Sequence, residues 1–263
     1  MAEKTAISST KKSTASEPQA KKTTVKSVKY IKNNLPMIGA LTAEFVGTFL
    51  LVASIFAVQG QPLFVAFALV GVVLLIGGIS GGHVNPAMTI GAWVTKKIDS
   101  KKAIGYIIAQ ILGAGFAWLI LSAFMSGSDA ALQSGTGSLL FHVATIAEGK
   151  EWYIFFAELL GSIIVALGIA SALKAKNDKV AAAFSYSFAL LIGLIIAGSI
   201  TSIFLTEANT SLTFLNPAAA IAANGISWNI WPIAIYFIAP TIGAVVGFSM
   251  QDFLYSQSNE KKN

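Results

Sequence analysis

The sequence predicts an all-α membrane protein, built from six transmembrane helices and two re-entrant half-helices in an inverted three-helix repeat. Three observations lead there. Hydrophobic residues fill 55 % of the 263 positions and charged residues only 11 %, less than half the roughly 25 % of a typical globular domain. The mean hydropathy is +0.70. The apolar residues gather into six runs of membrane-spanning length. Finally, an Asn-Pro-Ala triplet occurs in each half of the chain, ahead of an apolar stretch too short to span.

The first element is a polar tail. Residues 1–36 hold eight lysines and two glutamates among Ser and Thr clusters, with almost no large apolar residue before Tyr30. Such a segment buries too little apolar surface to fold alone and is expected to be disordered. It has no short apolar core with a cleavage site, unlike a secretory signal, and no Arg, unlike most transit peptides.

The six apolar runs follow at 37–58, 63–79, 103–124, 152–173, 180–204 and 231–250. Each is about 17–25 residues, enough to cross roughly 30 Å of hydrocarbon. Backbone polar groups find no partners in lipid, so the runs must be helices. The expected division is a tail at 1–36, a first repeat at 37–126, an outer connecting loop at 127–150, a second repeat at 151–250 and a C-terminal tail at 251–263.

Charge sets the orientation. All 18 cations are lysine, and the chain has no arginine. Lys96, Lys97, Lys101 and Lys102 lie between the second and third spans, Lys174, Lys176 and Lys179 between the fourth and fifth, and Lys261 and Lys262 at the end. With six spans these fall on the side of the N-terminal tail. Lys150, beside Glu148 and Glu151, is the exception, so 17 of 18 lysines share one side. The positive-inside rule makes that side cytoplasmic, which places both termini in the cytoplasm and the protein in the plasma membrane. The basic tail then faces anionic membrane lipid. Nucleic acid is not an expected partner, because the basic residues lie in tails and short connections. With no cysteine, disulfides, thiolate metal sites and Cys nucleophiles are excluded. Nothing resembles a nucleophile–base pair, a phosphate loop or a metal cluster, so no enzyme and no cofactor are expected.

The halves repeat. Ala43-Glu44-Phe45-Val46-Gly47-Thr48-Phe49 in the first span matches Ala157-Glu158-Leu159-Leu160-Gly161-Ser162-Ile163 in the fourth. Ser80-Gly81-Gly82-His83-Val84-Asn85-Pro86-Ala87 follows the second span, and Leu212-Thr213-Phe214-Leu215-Asn216-Pro217-Ala218 follows the fifth. Three spans per half invert the second half relative to the first, an arrangement that puts broken helices near the bilayer midplane. Asn is a favoured N-cap and Pro a favoured first helical residue. Each triplet therefore starts a helix, and the stretches at 87–94 and 218–223 reach only about half way across.

On these motifs the chain resembles the aquaporin, or major intrinsic protein, family, from about Ile38 to Met250. Ala109-Gln110 with Gly113-Ala114 in the third span, and Pro240 with Gly243-Ala244 in the sixth, support the resemblance. It implies a right-handed bundle with one pore per subunit, usually as a homotetramer. It also implies that Asn85, Pro86, Ala87, Asn216, Pro217 and Ala218 form the pore centre. An Asn oxygen can cap its helix while the NH₂ donates to a passing oxygen, and the half-helix N-termini oppose cations. The carbonyls of Gly81, Gly82, His83 and Val84, and of Leu212, Thr213, Phe214 and Leu215, would form an acceptor ladder.

The carboxyls of Glu44 and Glu158 lie within apolar spans, where function is the default. The resemblance instead implies that they accept hydrogen bonds from the pore loops as loop supports. His83 reads as a loop anchor, since no second ligand accompanies it at metal-binding spacing. His142 is assigned no role. Gly161, Gly168, Gly243 and Gly247 are expected to allow close helix contact.

The outer filter departs from the family. Water-selective members usually carry Arg directly after the second triplet; here it is Ala219. Counting from the motifs gives Val65, Thr213 and Ala219 as filter positions, and aligning the Gly193-Leu194 stretch gives Ile200 as the fourth, with Phe204 or Thr201 as its neighbours. That filter is apolar and lacks the donors and charge of an Arg, which should relax size selection. A passive channel for water and small neutral solutes such as glycerol, urea, ammonia or hydrogen peroxide is the expected function. The alternatives are a secondary transporter, which would need ion-coordinating groups at its site, and a closed-pore structural or adhesion member.

Overall fold

A computed structural model describes residues 20–126, 141–175, 178–205 and 210–260. The chain divides into two compact units, 1–36 and 37–263. The expected disorder of 1–19 lies outside the described residues. From Ala20 the backbone is helical, as the start of α1 (Ala20–Ala57), where disorder is expected. Ala and Lys are good helix formers, and no Gly or Pro interrupts the segment before Pro36.

The helices continue as α2 (Pro62–Ser80), α3 (Pro86–Val94), α4 (Ser100–Ser126), α5 (Glu151–Lys174), α6 (Lys179–Thr201), α7 (Pro217–Ala222), α8 (Ile230–Ile233) and α9 (Ala239–Glu260). Six segments are long and apolar enough to cross a membrane: Pro36–Ala57, Pro62–Ser80, Ser100–Phe124, Glu151–Lys174, Lys179–Phe204 and Ile230–Gln257. All begin within three residues of the expected spans. The last runs past its expected end, so the described part of the 251–263 tail is helix rather than coil through Glu260. Asp252 fastens it, with Lys97 Nζ at 2.6 Å and Lys174 Nζ at 3.3 Å. Lys261 and Lys262 lie outside the described residues, as do 127–140 of the connecting loop.

Between α8 and α9 the backbone widens into a π-turn, Ala234–Ile238. Pro240 explains it. Proline lacks an N–H and its ring clashes with the carbonyl four residues back, here that of Tyr236, and a wider turn relieves both.

The inverted repeat shows in the packing. Half-helix α3 lies against α9 and α4, and half-helix α7 lies against α4. Each half-helix thus rests on the final span of the other repeat. Spans within a repeat meet at matched glycines. A side chain at Gly113 of α4 would strike the Phe45 carbonyl of α1, and one at Gly243 of α9 would strike the Leu159 carbonyl of α5. These are equivalent repeat positions. Gly161, Gly168 and Gly247 likewise face other segments at distances that admit no side chain, the close approach expected of them. The outward faces are apolar, as at Ile104, Ile108 and Leu112 of α4, which suits lipid.

Candidate functional site

The site begins with two helix caps. Asn85 Oδ1 accepts the N–H of Ala87 at 2.9 Å and of Met88 at 3.4 Å. Asn216 Oδ1 accepts the N–H of Ala218 at 3.0 Å. Pro86 and Pro217 occupy the first helical position, where a missing N–H costs nothing. The NH₂ groups then cross between the halves. Asn85 Nδ2 donates to the Leu215 carbonyl at 2.8 Å, and Asn216 Nδ2 donates to the Val84 carbonyl at 2.9 Å. An amide nitrogen carries two hydrogens, so each Asn uses one for this cross-link and keeps one. Ala87 and Ala218, fully buried, complete the first turn of each half-helix.

The cross-link depends on an unusual backbone. Val84 and Leu215 have φ of 42° and 55°. Such left-handed conformations are rare for branched residues and cost of order 1–3 kcal/mol each. They turn each carbonyl toward the opposite Asn. Two buried carboxyls hold them there. Glu44 accepts the His83 N–H on Oε1 at 3.0 Å and the Val84 N–H on Oε2 at 2.7 Å. Glu158 accepts the Phe214 N–H on Oε1 at 2.5 Å, and the Leu215 N–H on Oε1 at 3.2 Å and Oε2 at 3.0 Å. The two glutamates thus make the contacts that the family resemblance implies.

The halves differ around these carboxyls. Gln110 Nε2 donates to Glu44 Oε2 at 2.7 Å and to Thr89 Oγ1 at 2.9 Å. Thr89 also touches His83 Nδ1, at 3.2 Å. His83 stands edge-on to Tyr106, buried and anchoring its loop. In the second half Pro240 takes the place of Gln110, so no matching network forms.

The carbonyls expected in the ladder are partly engaged. Tyr186 Oη donates to the His83 carbonyl at 2.7 Å, Tyr236 Oη to that of Leu212 at 3.4 Å, and Ser211 Oγ to that of Thr213 at 2.9 Å. A carbonyl has two lone pairs, so each of these can accept one more bond. Among the described residues the carbonyls of Gly81, Gly82 and Phe214 carry no such side-chain donor.

A cavity runs between the caps and one end of the bundle. It offers about 30 Å³ to water centres and is lined by Asn85, Asn216, Val65, Thr213, Phe214 and Phe141, with Leu51, Ile55, Gly60, Leu69, Tyr186, Leu190 and Leu194 completing the wall. That is room for ~2–3 waters at ~10–15 Å³ each. A second cavity of about 240 Å³ lies on the other side, lined by Gly77, Gly78, Gly81, Lys179 and Tyr186 among others. Tyr186 borders both.

Of the four residues assigned to the filter, Val65 and Thr213 line the first cavity. Ile200 does not; it is 36 % exposed on the outside of α6. Its neighbour Thr201 is 1 % exposed, and its Oγ1 lies 2.9 Å from Thr213 Oγ1. The correction follows from helix geometry. Leu190, Leu194 and Thr201 are spaced by four and seven residues and share a face, whereas Ile200 is rotated away. Ala219 is buried but does not line the cavity either. The sequence analysis misses Phe141. The signal in the sequence is an apolar run, Leu139-Leu140-Phe141, within the connecting loop.

Comparison with known proteins follows this geometry. Residues 59–250 match the family described as major intrinsic protein. Aquaporin AqpM of Methanothermobacter marburgensis is 34 % identical over 199 residues, covering 73 % of this chain and 74 % of its own. A glycerol uptake facilitator protein-like 6 of Lactiplantibacillus plantarum is 31 % identical over 218 residues, covering 78 % and 92 %. Among solved structures, the aquaglyceroporin from Plasmodium falciparum shares the fold with a TM-score of 0.59 at 21 % identity, covering 82 % of this chain and 95 % of that one.

Proposed function

The chain belongs to the major intrinsic protein family, and as a passive membrane channel for water and small uncharged solutes, not an enzyme, it conducts, we propose, between its two half-helix caps. The observation that carries this route is the reciprocal pair of bonds from Asn85 and Asn216 to the Leu215 and Val84 carbonyls, with a cavity bordered by both amides. Each Asn keeps one N–H for a passing oxygen. The half-helix N-termini each add roughly half a positive charge there, which opposes cations and protons. Gly81, Gly82, His83 and Val84 on one side, and Leu212, Thr213, Phe214 and Leu215 on the other, supply successive acceptor carbonyls. Glu44 and Glu158 act through the loops they hold. Val65 and Thr213 border the outer end, with Thr201 behind Thr213, and among the described residues no cation lines this cavity.

The same reasoning supports a wider range of solutes than water alone, because relatives named for water and for glycerol resemble this chain about equally well. We infer a homotetramer in the plasma membrane with both termini cytoplasmic. Exposed apolar faces such as Ile104, Ile108 and Leu112 support burial against lipid and copies. The meeting of Lys97 and Lys174 at Asp252 supports a single lysine-rich end, which the positive-inside rule makes cytoplasmic.

Stopped-flow light scattering on proteoliposomes, comparing water, glycerol and urea, tests the reading. Flux above bare lipid, independent of any ion gradient, is expected. Flux that requires a gradient would point to a coupled transporter, and no flux at all would sink the channel route.

A further inference from the structure

The outer end of the cavity holds a residue that neither the motifs nor the pore loops supply. Phe141 precedes strand β1 (His142–Val143), which pairs in parallel with β2 (Thr210–Ser211) of the second pore loop. The Val143 N–H donates to the Ala223 carbonyl just past α7, and the Ala144 N–H donates to the Ser211 carbonyl, both at 3.0 Å. The segment is therefore fixed to the loop that carries Thr213 and Phe214, unlike an ordinary surface connection.

The ring has a prepared seat. Gly60, with φ of 67°, lies under it, and a side chain there would collide with the Phe141 ring. On another side the ring meets Phe214, with centroids 5.7 Å apart, and Phe214 stands edge-on to Tyr236. Phe141 is 4 % exposed, yet it borders the cavity with Val65 and Thr213. Ala219, where the resemblance leads one to expect a wide cation, leaves that wall to other side chains.

We propose that Phe141 is a specificity-determining residue, whose ring sets the width of the outer mouth and so the size limit for uncharged solutes. The inference rests on the channel reading above. The Thr213 hydroxyl is paired with Thr201, and the rest of this mouth is apolar, so discrimination here comes from fit rather than from donors. Apolar pockets discriminate by roughly tenfold for a small change in bulk.

The test is a size series in full-length protein reconstituted into liposomes: Phe141→Trp, native, Phe141→Leu and Phe141→Ala. Each is measured for water, urea and glycerol permeability, with folding checked by size-exclusion chromatography. The expected result is a solute-to-water ratio that rises as the side chain shrinks, by roughly tenfold between native and Ala, and falls for Trp. If the Ala variant empties its buried site and does not fold, the Leu variant decides by the same ordering. Folded variants that conduct water with unchanged ratios would overturn the role of Phe141 and leave the channel intact. No flux in the native protein would overturn both.

Discussion

The pseudo-symmetric glutamates offer an internal control, because their substitution by glutamine should not cost the same. Glu44 spreads its two loop donors over both oxygens, His83 N–H on Oε1 and Val84 N–H on Oε2. A glutamine has one carbonyl oxygen. Whichever way it is turned, its NH₂ faces one of these N–H groups and orphans it. Gln110 can rotate its own amide to accommodate the new NH₂, but it cannot accept a backbone N–H from Val84 in the same place. An orphaned buried donor costs about 1–3 kcal/mol. Glu158 differs, because Oε1 takes both the Phe214 and the Leu215 N–H. Glu158→Gln with its carbonyl oxygen at that position keeps an acceptor for both donors, and its NH₂ replaces only the second contact of the Leu215 N–H. Glu44→Gln should therefore be less stable than Glu158→Gln by about 1–3 kcal/mol, or roughly 2–12 °C in melting temperature at ~2–4 °C per kcal/mol. Tryptophan fluorescence melts in detergent, run on both variants beside the native protein, measure it. Equal losses, or a larger loss for Glu158→Gln, would refute the hydrogen-bond accounting.

Three further outcomes follow from the same structure. Ala219→Arg should depress glycerol and urea flux more than water flux, read as permeability ratios in proteoliposomes; an unchanged ratio would show that this position lies off the path. Mercurials should leave water permeability unaffected, since there is no cysteine for them to attack; rapid inhibition reversed by thiol would contradict this. Asp252→Asn leaves Lys97 and Lys174 without their carboxylate, and because the pair is part-exposed the loss should stay within about 1 kcal/mol and shrink as salt is raised, which melts at two ionic strengths would reveal.

The spans and half-helices were legible because lipid leaves the backbone few choices. Length and hydropathy locate a span to within a turn, and an Asn-Pro pair starts a helix at a defined residue. What escaped depended on rotation or distance. The Ile200 position rests on aligning Gly193-Leu194 alone, and one residue of error turns a helix by about 100°, enough to exchange a buried Thr201 for an outward isoleucine. Phe141 meets Gly60 and Phe214, both more than 70 positions away, and no local period marks such contacts. The left-handed Val84 and Leu215 were also hidden, since neither residue type favours that backbone. They persist because glutamates from distant spans bind their N–H groups.

The exchanged asparagine bonds also make the two halves depend on each other. Each cap is assembled within its own half, but the amide that fixes the facing loop comes from a segment 130 or 132 residues away. Without the second half, Val84's carbonyl would have no opposing amide and the cavity wall from Tyr186 to Asn216 would be missing. The proposed path therefore needs both halves, because each loop is fixed by the amide of the other.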